Sequence, residues 1–306
     1  MKMKDGNVME KDIEKFIKYL KEQKNYSKYT IINYEEDLYF LKTYLEKEDI
    51  SYLDIDYSTI RLYFNYLDSF NYSKNTIAKK ITSARSFYKY LARNNKIKNN
   101  PFSLCSLPKK DNLLPKFLYY NELEEMFSSC DTSNLGIRNR CILELLYATG
   151  MRVGELVNIK LNDIDLKEKY IKILGKGNKE RIVYFGDYAK EYLEKYIYEV
   201  RDNLLKNKKS DYLFINNSGT NLSSRGVELI IKNIIKETSI KSNITPHVLR
   251  HTFATHLLNE GCDILSVQEL LGHESLRATQ VYTHITNEGL RNIYNISHPR
   301  NHKNIK

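Results

Sequence analysis

Three of the chain's five prolines, Pro101, Pro108 and Pro115, fall in one short stretch of a 306-residue sequence. Proline fixes φ and supplies no amide hydrogen, so proline at this density blocks regular structure and stiffens a connector. Asn99-Asn100-Pro101 closes a helical block, and a block of mixed type begins at Phe117. The stretch therefore predicts a boundary near residue 110, with domains over residues 1–108 and 117–306 and a linker over 109–116. A chain of this length is long for one compact domain and suits two.

The first block reads as helices. Ile13, Phe16, Ile17 and Leu20 recur at helical spacing, as do Tyr34, Leu38, Leu41, Tyr44 and Leu45. Tyr57–Phe70 predicts a third helix and Asn75–Asn94 a fourth. The fourth carries Ile77, Ile81, Ala84, Tyr88 and Leu91 on one side, with Lys79, Lys80, Arg85, Lys89 and Arg93 on its other surfaces. Such a helix can pack inward and still face phosphates, although an ordinary solvated surface needs no ligand. The charge distribution adds to the first of these readings. Residues 1–110 hold 21 basic and 14 acidic side chains, whereas 111–306 hold 27 and 24. A basic excess of this kind favours a polyanion, nucleic acid before membrane. A Lys-, Asn-, Ile- and Tyr-rich composition throughout offers a second explanation for the charge.

The second block alternates types. Helices are predicted over Tyr120–Cys130, over Asn134–Thr149 with Gly150 as C-cap, over Tyr188–Leu205 and over Arg225–Glu237. Asp163–Leu174 and Glu180–Phe185 read as two strands joined by Gly175-Lys176-Gly177-Asn178-Lys179. Thr245-Pro246 opens a helix with an N-cap and a first-position proline, ending near Gly261. Helices over Ile264–Leu271, Leu276–Thr283 and Glu288–Ile296 follow. The expected fold class is mainly α with a small β-sheet, without internal repeats. Cys105, Cys130, Cys141 and Cys262 are scattered and form no C-x-x-C pair, which argues against a disulfide scaffold or zinc ribbon. The N-terminus lacks an apolar targeting segment and no apolar run approaches membrane-spanning length, so a cytoplasmic protein with no membrane contact is expected.

Chemistry concentrates at six positions of the second block. His247 and Arg250 lie three apart on one predicted helix, so an imidazole and a forked guanidinium project in neighbouring directions. Leu249, Phe253 and Leu257 would anchor its other side. A guanidinium suits a phosphate because its planar donors meet two oxygens together. Arg152 follows the turn at Gly150, and Glu155 can orient it or merely pair with it. Lys176 sits at a hairpin tip, where an ammonium can deliver a proton; the same glycines also make a good turn with no chemistry. His273 follows Leu271-Gly272, and Tyr282 comes nine residues later, one of 25 tyrosines. The phosphate-loop pattern G-x-x-x-x-G-K-[ST] is absent, as is H-E-x-x-H, so neither a nucleotide cofactor nor a metal is implied.

Each of these signals is weak alone, but their order is specific. The array Arg152, Lys176, His247-x-x-Arg250, His273, Tyr282 resembles the tyrosine recombinases, also called phage-type integrases, and no position departs from that pattern. The surrounding segments Ala148–Leu156, Gly175–Arg181, Thr245–His256, Leu270–His273 and Val281–His284 fit as well. Ser297-His298-Pro299-Arg300 is similar to the Xer branch, which resolves chromosome dimers. The resemblance implies a two-domain DNA clamp, with a helical, SAM-like core-binding domain followed by a mixed α/β catalytic domain.

It further implies that Tyr282 attacks a scissile phosphate while Arg152 and Arg250 clamp the non-bridging oxygens. Lys176 would protonate the leaving oxygen, His247 would assist proton removal from Tyr282, and His273 would hydrogen-bond the phosphate. No cofactor is needed. The implied partners are a double-stranded DNA recombination site and a homo-tetramer, or a hetero-tetramer with a paralogous recombinase. A septal DNA translocase is a further candidate partner. Leu290, Ile293 and Tyr294, after the nucleophile, would pack on a neighbouring subunit. An integrase of a mobile element shares the same chemistry. A topoisomerase-like relaxing enzyme would use the same phosphotyrosine and rejoin the original strand. A non-catalytic DNA-binding regulator is opposed by the intact nucleophile.

Overall fold

The computed structural model describes residues 2–107, 117–175, 179–272 and 287–302. The chain divides into two compact units, Met1–Leu113 and Leu114–Lys306. The linker expected over 109–116 lies outside the described residues.

Unit 1 contains α1 (Lys2–Glu22), α2 (Lys28–Lys47), α3 (Tyr57–Ser69) and α4 (Lys74–Arg93). Ser27, Asp56 and Ser73 cap the last three, each side chain accepting from the backbone N–H three residues on. The peptide Asn-Tyr-Ser-Lys occurs twice, at 25–28 and 71–74. Asn25 and Asn71 both adopt left-handed φ, 48° and 54°, so the same four residues turn the chain into α2 and into α4. This short repeat corrects the expectation of none. The apolar stripes converge as their spacing requires: Phe16, Leu38, Leu41, Tyr63, Leu67, Ile81, Phe87 and Leu91 are buried together. Two buried carboxylates stitch the helices. Asp12 accepts from Lys96 Nζ at 2.6 Å and from Tyr52 Oη at 2.9 Å. Asp37 accepts from Lys80 Nζ at 3.1 Å and Ser83 Oγ at 2.8 Å.

Unit 2 is built around α6 (Asn134–Thr149), which follows α5 (Tyr120–Ser128). From Cys141 to Thr149 every residue of α6 is buried, as expected of a helix surrounded by other elements. The short α7 (Val153–Leu156) precedes an antiparallel sheet ordered β1 (Ile164–Asp165), β2 (Tyr170–Leu174), β3 (Glu180–Tyr184). The single strand expected over Asp163–Leu174 is two, because the chain turns at Lys169, whose φ is 55°. In the second pairing Ile173 lies opposite Arg181 and Leu174 opposite Glu180. Then come α8 (Asp187–Lys195), a π-helical turn (Tyr196–Val200), α9 (Arg201–Leu205), α10 (Ser224–Lys236), α11 (Pro246–Asn259), α12 (Ile264–Leu271) and α13 (Asn287–Ser297). The helix expected over Leu276–Thr283 lies outside the described residues.

In the isolated chain the tail packs on its own unit. Tyr294 is buried, and Leu290 and Ile293 pack against the unit 2 core. His298 is also buried, accepting from Arg300 N–H through Nδ1 and reaching the Tyr147 carbonyl through Nε2 at 3.4 Å. Arg300 then pairs with buried Glu144 at 2.7 Å. Among the described residues no helix is long and apolar enough to cross a membrane.

Candidate active site

The end of α6 sets the first catalytic candidate. Gly150 has φ +58°, and a Cβ there would lie 2.4 Å from Phe253 Cδ1, so both backbone and space demand glycine. The chain reverses, buries Met151 and places Arg152 at the N-cap of α7. Glu155, one turn on, receives the Arg152 N–H at 2.6 Å and the Arg152 guanidinium at 3.1 Å. The local pair read from the sequence is present, yet the Arg152 side chain stays 44% exposed. It is held at its root and open at its head.

Helix α11 supplies the second pair. Thr245 caps it and Pro246 occupies its first turn, while Leu249, Phe253 and Leu257 are buried as their spacing predicts. His247 is exposed at the same end. Arg250 is buried, and its guanidinium donates to the Gly150 carbonyl at 2.6 Å and the Leu271 carbonyl at 2.8 Å. Gly150 caps α6 and Leu271 ends α12, so the cation sits where two helix termini present partial negative charge. Burial, and then the nearby Arg152 charge, push the Arg250 pKa down to about 10. It remains a cation at neutral pH. Its bond to the Gly150 carbonyl brings it to the same turn that carries Arg152. Two of Arg250's five donors are engaged by those carbonyls.

A residue given no role in the sequence reading completes this cluster. Arg181, on β3, donates to both oxygens of Glu155, at 2.7 and 3.1 Å. Burial works to raise the Glu155 pKa, but the Arg181 hydrogen bond, the Arg152 N–H and both positive charges outweigh it. The net effect holds the carboxyl below its ordinary range, and Glu155 is ionised. A carboxylate this close to a turn that must carry Arg152 needs a second cation if it is buried. That requirement is the signal that points to Arg181, the second residue of the strand after Lys176.

Lys176, His273 and Tyr282 lie outside the described residues, but their immediate neighbours do not. Gly175 donates its N–H to the Lys179 carbonyl at 2.8 Å, closing the hairpin root. Gly272 caps α12 with φ +64°. Among the other histidines, His256 is a core residue: its Nε2–H donates to the Leu118 carbonyl at 2.9 Å, so Nδ1 accepts from Tyr147 Oη at 2.8 Å. Among the described residues no group of three His, Cys, Asp or Glu side chains is placed to hold a metal.

The five α4 cations named from the sequence separate. Lys79, Lys89 and Arg93 are exposed, with Lys79 donating to Asn33 Oδ1 at 2.6 Å. Lys89 and Arg93 line a cleft of about 200 Å³ with Tyr19, Lys24, Tyr26 and Tyr90. Lys80 and Arg85 are corrections. Lys80 stands three residues after Ile77 and four before Ala84, hence on the apolar stripe. It is buried, paired with Asp37, and lies 4.3 Å from the Phe40 ring centroid. Arg85 donates to the carbonyls of Phe102 and Cys105 and fastens the segment leaving α4. Neither head is turned to solvent phosphate.

Comparison with known proteins agrees with this geometry. Residues 116–288 match the phage integrase family, and residues 13–95 match the phage integrase N-terminal SAM-like domain. The chain belongs to the phage integrase family. It is a Xer-like tyrosine recombinase and thus a site-specific DNA recombinase. Tyrosine recombinase XerC of Anoxybacillus flavithermus is 49% identical over 289 residues, covering 93% of this chain and 96% of the relative. Tyrosine recombinase XerC of Bacillus subtilis is 46% identical over 292 residues, covering 94% and 96%. Among solved structures, XerH recombinase bound to a palindromic difH substrate, a post-cleavage complex, is 28% identical with a TM-score of 0.66. That match covers 91% of this chain and 83% of the other. A lambda integrase dimer bound to a COC′ core site has a TM-score of 0.69 at 19% identity, covering 90% and 99%, and shares the fold.

Proposed function

We propose that this recombinase cuts and rejoins double-stranded DNA at a chromosomal resolution site, converting chromosome dimers to monomers in the cytoplasm. The observation that carries the chemistry is the shared site of Arg152 and Arg250, anchored two residues apart at the Gly150 turn. Two fixed guanidiniums are suited to the non-bridging oxygens of one phosphodiester and to the charge that grows on them during attack. The Tyr282 oxygen forms a bond to phosphorus, and the bond to the 5′-oxygen breaks, leaving a 3′-phosphotyrosine and a 5′-hydroxyl. Exposed His247 assists removal of the phenolic proton, Lys176 gives a proton to the departing 5′-oxygen, and His273 hydrogen-bonds the phosphate. The covalent bond conserves the energy of the broken one, so rejoining to a partner strand through a Holliday junction needs no ATP.

The resolution role is supported by the XerC relatives and by the XerH structure with its difH substrate. The working assembly is a homo-tetramer, or a hetero-tetramer with a paralogue, on two DNA sites, with a septal translocase as activator. Exposed Lys79, Lys89 and Arg93 of α4 meet backbone phosphates in this reading, which makes affinity fall with salt. A nicked suicide duplex carrying a candidate site tests the reading. The wild-type chain should form an adduct that survives denaturation, and Tyr282→Phe should abolish it while binding persists. An adduct that persists in Tyr282→Phe rejects the nucleophile.

A further inference from the structure

Arg181 touches the chain beside three catalytic candidates at once. Through Glu155 it reaches the carboxylate that holds Arg152. A Cβ on Gly175, the residue before Lys176, would lie 3.4 Å from Arg181 Nη1 and 4.0 Å from Glu155 Oε1. A Cβ on Gly272, the residue before His273, would lie 2.8 Å from Arg181 Nε. The two glycines flank the guanidinium: Gly272 approaches it more closely than a side chain would allow, and Gly175 lies within ordinary contact of it. Arg181 Nε is buried with no hydrogen-bond partner, an arrangement that costs stability. Its other two nitrogens are both committed to Glu155, in the parallel fork that fixes direction as well as distance.

We infer that Arg181 is a positioning residue that sets the β2–β3 hairpin, and with it Lys176, against the Glu155–Arg152 turn. Arg181 pairs with Ile173 across the sheet and lies one residue beyond Glu180, the partner of Leu174 at the last step of the ladder. A strand fixed there by two hydrogen bonds to a buried carboxylate cannot slide or splay relative to α7. The hairpin root on either side of Lys176 is therefore referred to the same carboxylate that holds Arg152. Without Arg181, Glu155 retains Arg152, and the hairpin root loses its tie. The inference rests on the assignment of Lys176 as general acid.

A leaving group that needs no proton separates the possibilities. A suicide duplex with sulfur in place of the bridging 5′-oxygen releases a thiolate, so general-acid catalysis is bypassed. On the ordinary phosphodiester, Arg181→Ala should cleave about 100-fold more slowly, the size expected of a misplacement near 1 Å. On the sulfur substrate it should return to within a few-fold of the wild type, alongside Lys176→Ala. Arg181→Lys, which keeps the charge and loses the fork, should fall between the two on the phosphodiester and serves if the alanine variant unfolds. Wild-type cleavage of the phosphodiester by Arg181→Ala and Arg181→Lys overturns the inference. So does an equal defect on both substrates while Lys176→Ala is rescued, because Arg181 would then act on the phosphate clamp or on folding alone. If Lys176→Ala itself is not rescued, the general-acid assignment fails first and the inference falls with it.

Discussion

Replacing Arg250 by alanine should damage folding and catalysis together, and the two losses can be measured apart. The guanidinium bridges the Gly150 and Leu271 carbonyls, at 2.6 and 2.8 Å, inside the protein. Each charged hydrogen bond of this type contributes about 1.5–3 kcal/mol, and a buried carbonyl left without a donor costs about 1–3 kcal/mol. The guanidinium's own burial, visible in a pKa pushed down to about 10, offsets part of that gain. A net loss of about 3 kcal/mol follows, which in a unit of this size lowers Tm by roughly 6–12 °C. Thermal unfolding of the full chain reads this directly. Adduct formation on a suicide duplex, followed well below the variant's Tm, reads the remainder. Arg250→Lys keeps the positive charge and one donor direction, so it should recover part of the stability. It should still cleave about 100-fold more slowly, because an ammonium cannot bridge two carbonyls and fork to a phosphate. An alanine variant as stable as the wild type would falsify the bridging role, and a fully active lysine variant would remove Arg250 from the clamp.

Lys80→Ala should destabilise unit 1 by about 3 kcal/mol, since it leaves Asp37 buried without its cation. Urea unfolding checks this, and a salt slope of DNA binding equal to that of the wild type should accompany it. Lys89→Ala with Arg93→Ala, by contrast, should leave unfolding within about 0.5 kcal/mol. It should also reduce the dependence of log K on log salt; an unchanged slope removes them from the phosphate contacts. Burial holds His298 down at about 3, against 6.5 for a free imidazole. Its folded pKa is depressed, so its stability is complete above pH 6.5 and is lost as pH falls from 6.5 toward 3. The loss is about 1.4 kcal/mol per pH unit. Tm measured from pH 7 to 5 should fall more steeply in the wild type than in His298→Phe, and equal slopes would contradict the assignment.

The sequence made the helices and their inward faces legible because one helical period accounts for both. Ile77, Ile81, Ala84, Tyr88 and Leu91 are buried as that period demands. It failed on Lys80 for a physical reason: charge was allowed to outrank position, although a lysine on an apolar stripe is compatible with burial once a carboxylate faces it. Asp37, on α2, is far away in sequence, and no local pattern announces the pair. Arg250 was legible as a candidate phosphate ligand from its spacing to His247, but its bridging of two helix ends was not, since that depends on where α6 and α12 terminate in space. Apolar residues at helical spacing in the tail say only that a face is covered, not which surface covers it. In the isolated chain Tyr294 stacks on His298, which lies against Tyr147.

Under the proposed mechanism, the charge count among the described site residues favours the transition state over the bound substrate. Arg152, Arg181 and Arg250 face one ionised carboxylate, Glu155, which Arg181 grips through both oxygens. Pairing those two leaves a net charge of about +2 on the clamp, whereas a phosphodiester carries one negative charge. In the proposed reaction a second negative charge develops on the non-bridging oxygens as the Tyr282 oxygen adds to phosphorus. A clamp of two cations is balanced at that point and over-charged before it, which lowers the barrier more than it strengthens binding. Neutralising the carboxylate tests this reasoning. Glu155→Gln raises the net charge and loosens Arg152, so DNA should bind as tightly or more tightly at low salt while the first-turnover cleavage rate falls. Tighter binding together with undiminished cleavage would show that positive charge alone drives the reaction and that its placement by Glu155 does not.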